Sequence, residues 1–325
     1  MSTIDKQHLS KNQIFSHIKQ NISLGDKNWF QTGGCAQYYS EPTTNNEFQQ
    51  ALQFAELQNL DIFMLGQGAN ILISDEGFHG LVIKPQLNQI THQATTPNAA
   101  TVTAGAGTSF HDLIDYCLDH NLTNLEEFSG IPGSVGGSVY INLHYYEFFL
   151  ADFLDHAQII HKKTGKITTV DTHWFKFGYD ESELQNKDYY LLSATFRVQQ
   201  ATDLEVAHAR GRRQEIIRHR TRRFPTTGTC GSFFRNFLPH EVQNTEKKLI
   251  YVAYYLDKIG VKGELSVGNA IVSYQHANMI VNKGNATSSD IIKLAQIMQS
   301  KVQEEFGIRP QAECQLIGFK DNPLA

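Results

Sequence analysis

The segment that most restricts the fold of this chain is a glycine-rich stretch at residues 130–137, with the sequence GIPGSVGG. It holds four glycines and one proline in eight residues. Because proline lacks a backbone donor and glycine weakens regular elements, we expect neither an ordinary helix nor an ordinary strand here. One interpretation is that this bare backbone lies against a flat or phosphorylated ligand. The other is a purely structural glycine loop.

A second glycine-rich turn, GQGAN at residues 66–70, follows a short apolar run at residues 62–65. Glycines let backbone N–H groups approach an anion closely. The turn lacks the third glycine that opens the helix of a dinucleotide fingerprint, and it lacks the Gly-Lys-Ser/Thr ending of a P-loop. Taken alone, such a pair of glycines most often marks a simple turn.

Composition narrows the class of protein. With 325 residues and 41% hydrophobic side chains, the chain can form roughly two or three domains with cores. No apolar run reaches the ~18 residues of a membrane span, and the first residues show no signal core, so we expect a cytoplasmic protein. The net charge of −5 argues against a nucleic-acid partner. The four cysteines lack paired spacing, so we predict no disulfide framework and no metal site.

Apolar periodicity divides the chain into three units, residues 1–85, 86–203 and 204–315. The first dozen residues are predicted to form a loose polar arm. Helices are predicted at residues 46–59, 108–120, 204–223 and 287–306, and strands at residues 62–65, 71–73, 81–83, 100–104, 157–161, 167–170 and 190–198.

The predicted helix at residues 204–223 carries seven arginines between Arg210 and Arg223. A charge run of this kind is usually a solvated face, which here would link two domains. The alternative is a surface that faces phosphate groups. A third interpretation, a nucleic-acid module without enzymatic activity, is disfavoured by the negative net charge and by the lack of interleaved aromatic residues.

Two polar side chains carry possible chemistry. Ser232 lacks the second glycine of a Gly-x-Ser-x-Gly elbow, so a hydrolase serine is not predicted. Its hydroxyl can be a proton donor in a dry pocket, or simply a buried hydrogen-bonded group. Near the C-terminus, strand alternation places Glu313 and Gln315 on one face, opposite Cys314 and Leu316. A lone strand carboxylate usually faces solvent, and a catalytic role is the alternative.

These pieces occur in an order that resembles the UDP-N-acetylenolpyruvoylglucosamine reductase family, from about residue 29 to residue 318. Besides the two glycine segments, the matching stretches are residues 30–34, 74–83, 177–179, 231–236, 272–278 and 306–313. The resemblance implies an α+β protein: an FAD-binding fold of the vanillyl-alcohol-oxidase/PCMH type with an additional α+β substrate-binding domain. It also implies that residues 316–325 return to the first unit.

The resemblance further implies an activity. FAD would take a hydride from NADPH or NADH and reduce UDP-N-acetylglucosamine enolpyruvate to UDP-N-acetylmuramate for peptidoglycan synthesis. We expect a monomer whose partners are the UDP-sugar and the nicotinamide cofactor. The positions that match the family's FAD-binding segments are Gly66, Gln67, Gly68, Ala69, Asn70, Ile71, Gly130, Ile131, Pro132, Gly133, Ser134, Gly136 and Gly137.

The resemblance assigns three catalytic positions. Ser232 matches the proton donor to the α-carbon of the substrate. Glu313 matches a glutamate beside the substrate carboxylate, where it must be protonated because a bare carboxylate would repel the developing charge. Tyr179 matches a position of the pocket that we also assign to catalysis. The positions that match the substrate-binding residues are Arg223, Asn236 and His276.

Two departures from the family pattern bear on the substrate. Asp180 stands after residues 177–179, where the family carries an arginine that would polarise the substrate carboxylate, so the local charge is reversed. Residues 142–147 (NLHYYE) replace a loop of smaller residues and cannot lie against a ligand in the same way. The alternative function is therefore a flavoprotein of the same family with an altered substrate or without reductase activity.

Overall fold

The structure is a computed structural model that describes residues 15–325, so the predicted N-terminal arm lies outside the described residues. The first unit contains strands β1 (Ile18–Ser23), β2 (Cys35–Ser40), β3 (Ile62–Met64), β4 (Ile71–Ile73) and β5 (Phe78–Ile83). All of them except β4 form the first sheet, in the order β1-β2-β5-β3. β1 and β2 are antiparallel, whereas β2 and β3 both run parallel to β5.

Helix α1 (Asn45–Gln58) packs on this sheet. Thr44 caps its N-terminus by accepting a hydrogen bond from the Glu47 N–H, and Asn59 ends it in the left-handed conformation. Phe48 belongs to the buried face of α1, which joins the side chains of β5 in one apolar cluster. This cluster also contains Tyr190, so the first sheet is packed against the second unit.

The second unit is built on an antiparallel sheet of β6 (Ile90–Thr96), β7 (Ala99–Gly105), β8 (Leu122–Thr123), β11 (Leu154–His161), β12 (Ile167–Asp171) and β13 (Tyr189–Gln200). The strand order is β12-β11-β13-β7-β6, and β8 pairs with β13. Strands β9 (His144–Tyr145) and β10 (Phe148–Phe149) form a separate hairpin. Helices α2 (Phe110–Asp119) and α3 (Val135–Tyr140) complete the unit. The apolar face of α2 packs into the large core of this sheet.

The third unit begins with the long helix α4 (Asp203–Arg223). The remaining elements are α5 (Val252–Lys258), β14 (Ser266–Val267), β15 (Ala270–Val272), β16 (Ile280–Asn282), α6 (Ser288–Phe306) and β17 (Gln315–Ile317). Strands β14, β15 and β16 form a small antiparallel sheet, and α6 packs over it. None of the helices within residues 15–325 combines the length and apolarity that a membrane crossing requires.

The C-terminal strand β17 leaves the third unit and pairs in parallel with β4. Gln315 aligns with Ile71, and the Gln315 N–H donates to the Asn70 carbonyl oxygen at 3.1 Å. This pairing places the segment that carries Glu313 directly beside the first glycine turn. The predicted unit boundaries at residues 85, 203 and 315 remain predictions.

One expectation about the glycine-rich stretch is wrong. Residues 130–137 are not free of regular structure, because α3 begins at Val135. The Ser134 hydroxyl accepts a hydrogen bond from the Gly137 N–H at 3.2 Å and caps this helix. A Cβ at Gly136 would lie 3.0 Å from the Ala106 carbonyl oxygen, so close packing against the second sheet favours glycine inside the helix.

Candidate active site

A cavity of about 530 Å³ lies where the three units meet. This volume is within the roughly 300–1,000 Å³ of small-molecule sites. Its wall includes every position predicted to bind FAD, on both glycine segments. Ser232, Glu313 and His276 also line it. We call residues 66–71 and 130–137 together the glycine wall.

The turn at residues 66–70 is anchored to the first sheet at its start, because the Leu65 N–H donates to the Ile83 carbonyl oxygen of β5. Gly68 has a φ of 70°, and a Cβ there would lie 2.6 Å from the Cα of Asn28. Glycine is therefore required at this position by both conformation and space. The close approach lets the Gly68 carbonyl oxygen accept a hydrogen bond from Trp29.

The second part of the glycine wall is joined to the first. The Gly133 N–H donates to the Gln67 side-chain oxygen at 3.1 Å. A Cβ at Gly66 would lie 2.6 Å from the Ser134 hydroxyl oxygen. The two glycine segments, more than sixty residues apart in sequence, thus form one continuous surface of backbone and small side chains.

The glycine wall fits FAD. Asn70 Oδ1 is buried and has no hydrogen-bond partner among the described residues, so a donor of a bound group would satisfy it. The N–H groups of Val135, Gly136 and Gly137 already donate to acceptors of the protein. Bare backbone beside apolar side chains suits a flat ring and a diphosphate that must approach closely.

Ser232 is placed by the two aromatic residues that follow it. Phe233 and Phe234 are fully buried, and both their backbone N–H groups donate to Asn278, at 2.8 and 3.0 Å. Gly231 precedes the serine with a φ of 83°. This turn leaves the Ser232 side chain on the cavity wall.

The same segment positions Glu313. The Glu313 N–H donates to the Phe233 carbonyl oxygen at 2.9 Å, and Phe234 forms an antiparallel bridge with Ala312. Two residues that are far apart in sequence, Ser232 and Glu313, are therefore held on neighbouring backbone segments. Glu313 and Gln315 line the cavity together, on the shared face that the alternation predicts.

The Glu313 side chain does not face open solvent. Burial, and to a smaller extent the Asp180 carboxylate, raise the pKa of Glu313 to about 8. At neutral pH most of this carboxyl group is therefore protonated and can donate a hydrogen bond.

Asp180 lies at the same end of the cavity. It lines the wall with His144, whose Nδ1 is 3.6 Å from Asp180 Oδ1. The loop that departs from the family pattern supplies His144, and the Asn142 amide fixes it by donating to the Gly178 carbonyl oxygen at 2.9 Å. We call His144, Asp180, Ser232 and Glu313 the reaction end.

Of the four other residues predicted to bind the substrate or to take part in catalysis, one lines the cavity and three do not. His276 lines the cavity, and its pKa is lowered to about 4 by burial and by the charges of Arg223 and Lys262. Tyr179, Arg223 and Asn236 do not belong to the cavity wall. Tyr179 is 51% exposed at the rim, where its ring lies 4.5 Å from that of His144.

Two wall residues, Arg220 and His144, are not singled out by the sequence patterns. Arg220 belongs to the arginine run, and its Nε donates to the Gly130 carbonyl oxygen at 3.1 Å. Three other arginines of the run form exposed ion pairs with the second unit: Arg210 with Asp119, Arg212 with Glu127 and Arg213 with Asp115. These ion pairs agree with a polar helix face that links two units, and the phosphate-facing interpretation stays a prediction.

Comparison with known proteins defines the class first. Residues 36–171 match the FAD binding domain family. This match covers the first glycine turn and the second glycine segment, so the protein is a flavoprotein of the FAD-binding class. Residues 223–317 match the C-terminal domain of UDP-N-acetylenolpyruvoylglucosamine reductase.

The particular family follows from full-length similarity. UDP-N-acetylenolpyruvoylglucosamine reductase 2 of Bacillus cereus is 31% identical over 303 residues, which cover 93% of each chain. The reductase of Chloroherpeton thalassium is 31% identical over 94% of each chain. The crystal structure of the enzyme from Thermus caldophilus matches with a TM-score of 0.74 and 25% identity, covering 92% of this chain and 99% of that chain.

The chain belongs to the UDP-N-acetylenolpyruvoylglucosamine reductase family. The predicted family and the predicted α+β FAD-binding fold with an additional domain are confirmed. The FAD cofactor is confirmed with them. The comparisons give no support to the alternative of an altered substrate or a lost activity.

Proposed function

We propose that this protein reduces UDP-N-acetylglucosamine enolpyruvate to UDP-N-acetylmuramate, with bound FAD and with NADPH or NADH as the hydride donor. The observation that carries the proposal is the meeting of Ser232 and Glu313 at one end of a cavity whose other wall is glycine. Membership in the reductase family over nearly the whole chain supports it. We further propose that the enzyme works in the cytoplasm as a monomer, a state that light scattering would test.

The glycine wall would hold the cofactor. The backbone of residues 66–70 can approach a ligand closely, and Asn70 Oδ1 is an unpaired acceptor. Arg220 of α4 supports the other segment by donating to the Gly130 carbonyl oxygen. Bound FAD would supply hydride transfer, from the nicotinamide to the β-carbon of the enolpyruvyl group. The protein then has two tasks, which are to stabilise negative charge on the substrate carboxylate and to deliver a proton to the α-carbon.

Ser232 is proposed to deliver the proton. Ser232 lines the cavity, and the two buried phenylalanines that follow it fix the backbone. Removing a positioned proton donor typically slows the chemical step by about 10²–10⁴-fold.

Glu313 is proposed to donate a hydrogen bond to the substrate carboxylate. Its raised pKa, about 8, keeps the group neutral at physiological pH, so it attracts the developing enolate instead of repelling it. The backbone bond from Glu313 to Phe233 ties this donor to the serine segment, so both groups meet the same three-carbon unit of the substrate.

The two half-reactions test this proposal. The purified protein should be yellow, NADPH or NADH should bleach the flavin, and the enolpyruvyl UDP-sugar should restore its colour in stopped-flow measurements. Ser232→Ala should keep the bleaching rate and slow the recolouring. An FAD-loaded wild type whose reduced flavin is not reoxidised by this sugar would refute the proposal, and equal loss of both steps in Ser232→Ala would refute the role of the serine.

A further inference from the structure

The pair formed by His144 and Asp180 has no role in the proposed function as described above. Both residues line the cavity, and His144 Nδ1 lies 3.6 Å from Asp180 Oδ1. Nδ1 is buried without a hydrogen-bond partner among the described residues. Because Nδ1 is the nitrogen on the Asp180 side, the nitrogen that a ligand could use is Nε2.

The His144 ring packs against two aromatic rings. The Phe149 ring stacks on it at a centroid distance of 5.6 Å and an angle of 27°, and the Tyr179 ring lies 4.5 Å away. Asp180 is fixed through its backbone, because the Gln185 side chain donates to its carbonyl oxygen at 2.7 Å. The geometry of the pair is therefore set before a ligand binds.

The charges around the pair favour a cation at His144. Asp180 and Glu313 both face the cavity, and the Asp180 carboxylate contributes to the raised pKa of Glu313. Burial raises the pKa of Asp180, and the neighbouring His144 acts in the opposite direction by lowering it. Among the other basic groups of the wall, Arg220 donates to Gly130, the pKa of His276 is lowered by burial, and Lys187 also lines the cavity.

An anionic substrate carboxylate needs compensation at this end. Because Glu313 is neutral, the carboxyl group that would oppose its entry and the build-up of charge during reduction is that of Asp180. An imidazolium that is oriented by a carboxylate through one nitrogen presents the other nitrogen as a charged donor.

We propose, on the basis of the proposed function, that His144 is a catalytic residue whose imidazolium binds the carboxylate of the enolpyruvyl group through Nε2, and that Asp180 is a positioning residue that orients the ring through Nδ1. No proton leaves His144 in this step. The hydride adds to the β-carbon and the proton comes from Ser232, so the imidazolium is unchanged at the end and stabilises charge only.

The first test uses the flavin-loaded enzyme and measures each half-reaction separately. In His144→Gln, reduction of the flavin should keep its rate, while reoxidation by the enolpyruvyl UDP-sugar should slow by roughly 10²-fold, as for loss of one oxyanion donor. Asp180→Asn should slow the same step less. The matched control is His156→Gln, which removes a similar pair with Asp155 outside the cavity and should change neither rate.

The second test separates charge from packing. The double variant His144→Gln/Asp180→Arg restores a cation at the pair and should recover most of the lost reoxidation rate. A slow single variant that the arginine fails to rescue would show a packing role and overturn the proposal. Reoxidation of His144→Gln at the wild-type rate would also overturn it.

A binding measurement gives a readout besides turnover. Calorimetry on the oxidised enzyme should show weaker binding of UDP-N-acetylmuramate, which carries the carboxylate, to His144→Gln, and unchanged binding of UDP-N-acetylglucosamine, which lacks it. Equal weakening for both ligands would contradict a contact with the carboxylate. If wild-type reduced flavin is not reoxidised by the sugar, the proposed function fails instead, and that outcome is seen before any variant is made.

Discussion

The glycine wall and the reaction end of the cavity present different chemistry to a ligand. The glycine wall offers backbone and small side chains, and its shape depends on where a Cβ can be accommodated. The reaction end offers ionisable side chains, and what each can do depends on the charge of its neighbours. A substitution in the glycine wall should act through steric overlap, whereas one in the reaction end should act by changing charge and pH dependence.

The two regions also differ in how they are assembled. The turn at residues 66–70 and the segment at residues 130–137 are each shaped largely by local conformation, and one hydrogen bond from Gly133 to Gln67 joins them. The reaction end takes its side chains from strand β9, a turn, the segment after α4 and the approach to β17. It exists only once the second and third units have come together.

The largest effect is expected from filling space in the glycine wall. In Gly68→Val the new Cβ would meet backbone atoms of Lys27 and Asn28, at 2.7 and 2.6 Å, in a left-handed conformation. Strain and overpacking of about 4 kcal/mol correspond to roughly 10³-fold weaker FAD binding. Fluorescence titration with FAD measures this change.

The control for this substitution is Gly211→Ala on α4, where a Cβ meets nothing within 4 Å. It should leave FAD affinity unchanged and slightly stabilise the helix. If Gly68→Val binds FAD as tightly as the wild type, steric exclusion at the glycine wall does not control FAD binding.

A change of pH should affect the reaction end and spare the glycine wall. If Glu313 must be protonated, reoxidation by the enolpyruvyl UDP-sugar should be constant well below pH 8 and should fall as pH rises through about 8. Two units above that pH, the rate should be about 10²-fold lower. Glu313→Gln, which cannot ionise, should lose this alkaline limb, and a limb that persists in it would assign the pH dependence to another group.

The same shift predicts a trend in stability. The pKa of Glu313 is raised in the folded protein from 4.5 to about 8, so the folded state binds the proton more tightly than the unfolded state. The contribution is fully present below about pH 4.5 and is lost as pH rises through 8, with a size on the order of a few kcal/mol. Urea unfolding at several pH values should show a flatter profile for Glu313→Gln than for the wild type.

The smallest effect is expected where the third unit touches the glycine wall. Arg220→Met removes the hydrogen bond to the Gly130 carbonyl oxygen, and losing a charged hydrogen bond of about 1.5 kcal/mol corresponds to roughly tenfold weaker FAD binding. Arg222→Met, at an exposed position of the same helix, is the control. If both variants bind FAD as the wild type does, α4 supports the wall only through packing.

Local patterns predicted the helices well. The helix predicted at residues 46–59 is α1 (Asn45–Gln58), because its apolar spacing and its polar cap at Thr44 are local signals. The helix that ends at Gly307 is α6, with a capping box at Thr287. Strands β1 and β6 were not predicted, because their residues are largely polar and exposed and show no apolar alternation.

The site was predicted from ordered motifs, and the structure collects most of it on one cavity. The roles of the predicted site residues stay predictions. Arg220 resembles its neighbours in sequence, and only the packing of α4 against Gly130 sets it apart. Asp180 and the segment at residues 142–147 stood out as departures, but no sequence pattern pairs Asp180 with His144 of that segment.

The sequence by itself determined the family, the glycine positions and the order of the helices, since these depend on local conformation and on the identity of each residue. The tertiary structure decided which charged groups meet. Glu313 acquires its high pKa from burial and from Asp180, and Asp180 in turn lies against His144. Desolvation and through-space charge depend on distance in three dimensions, and the chain order does not contain that distance.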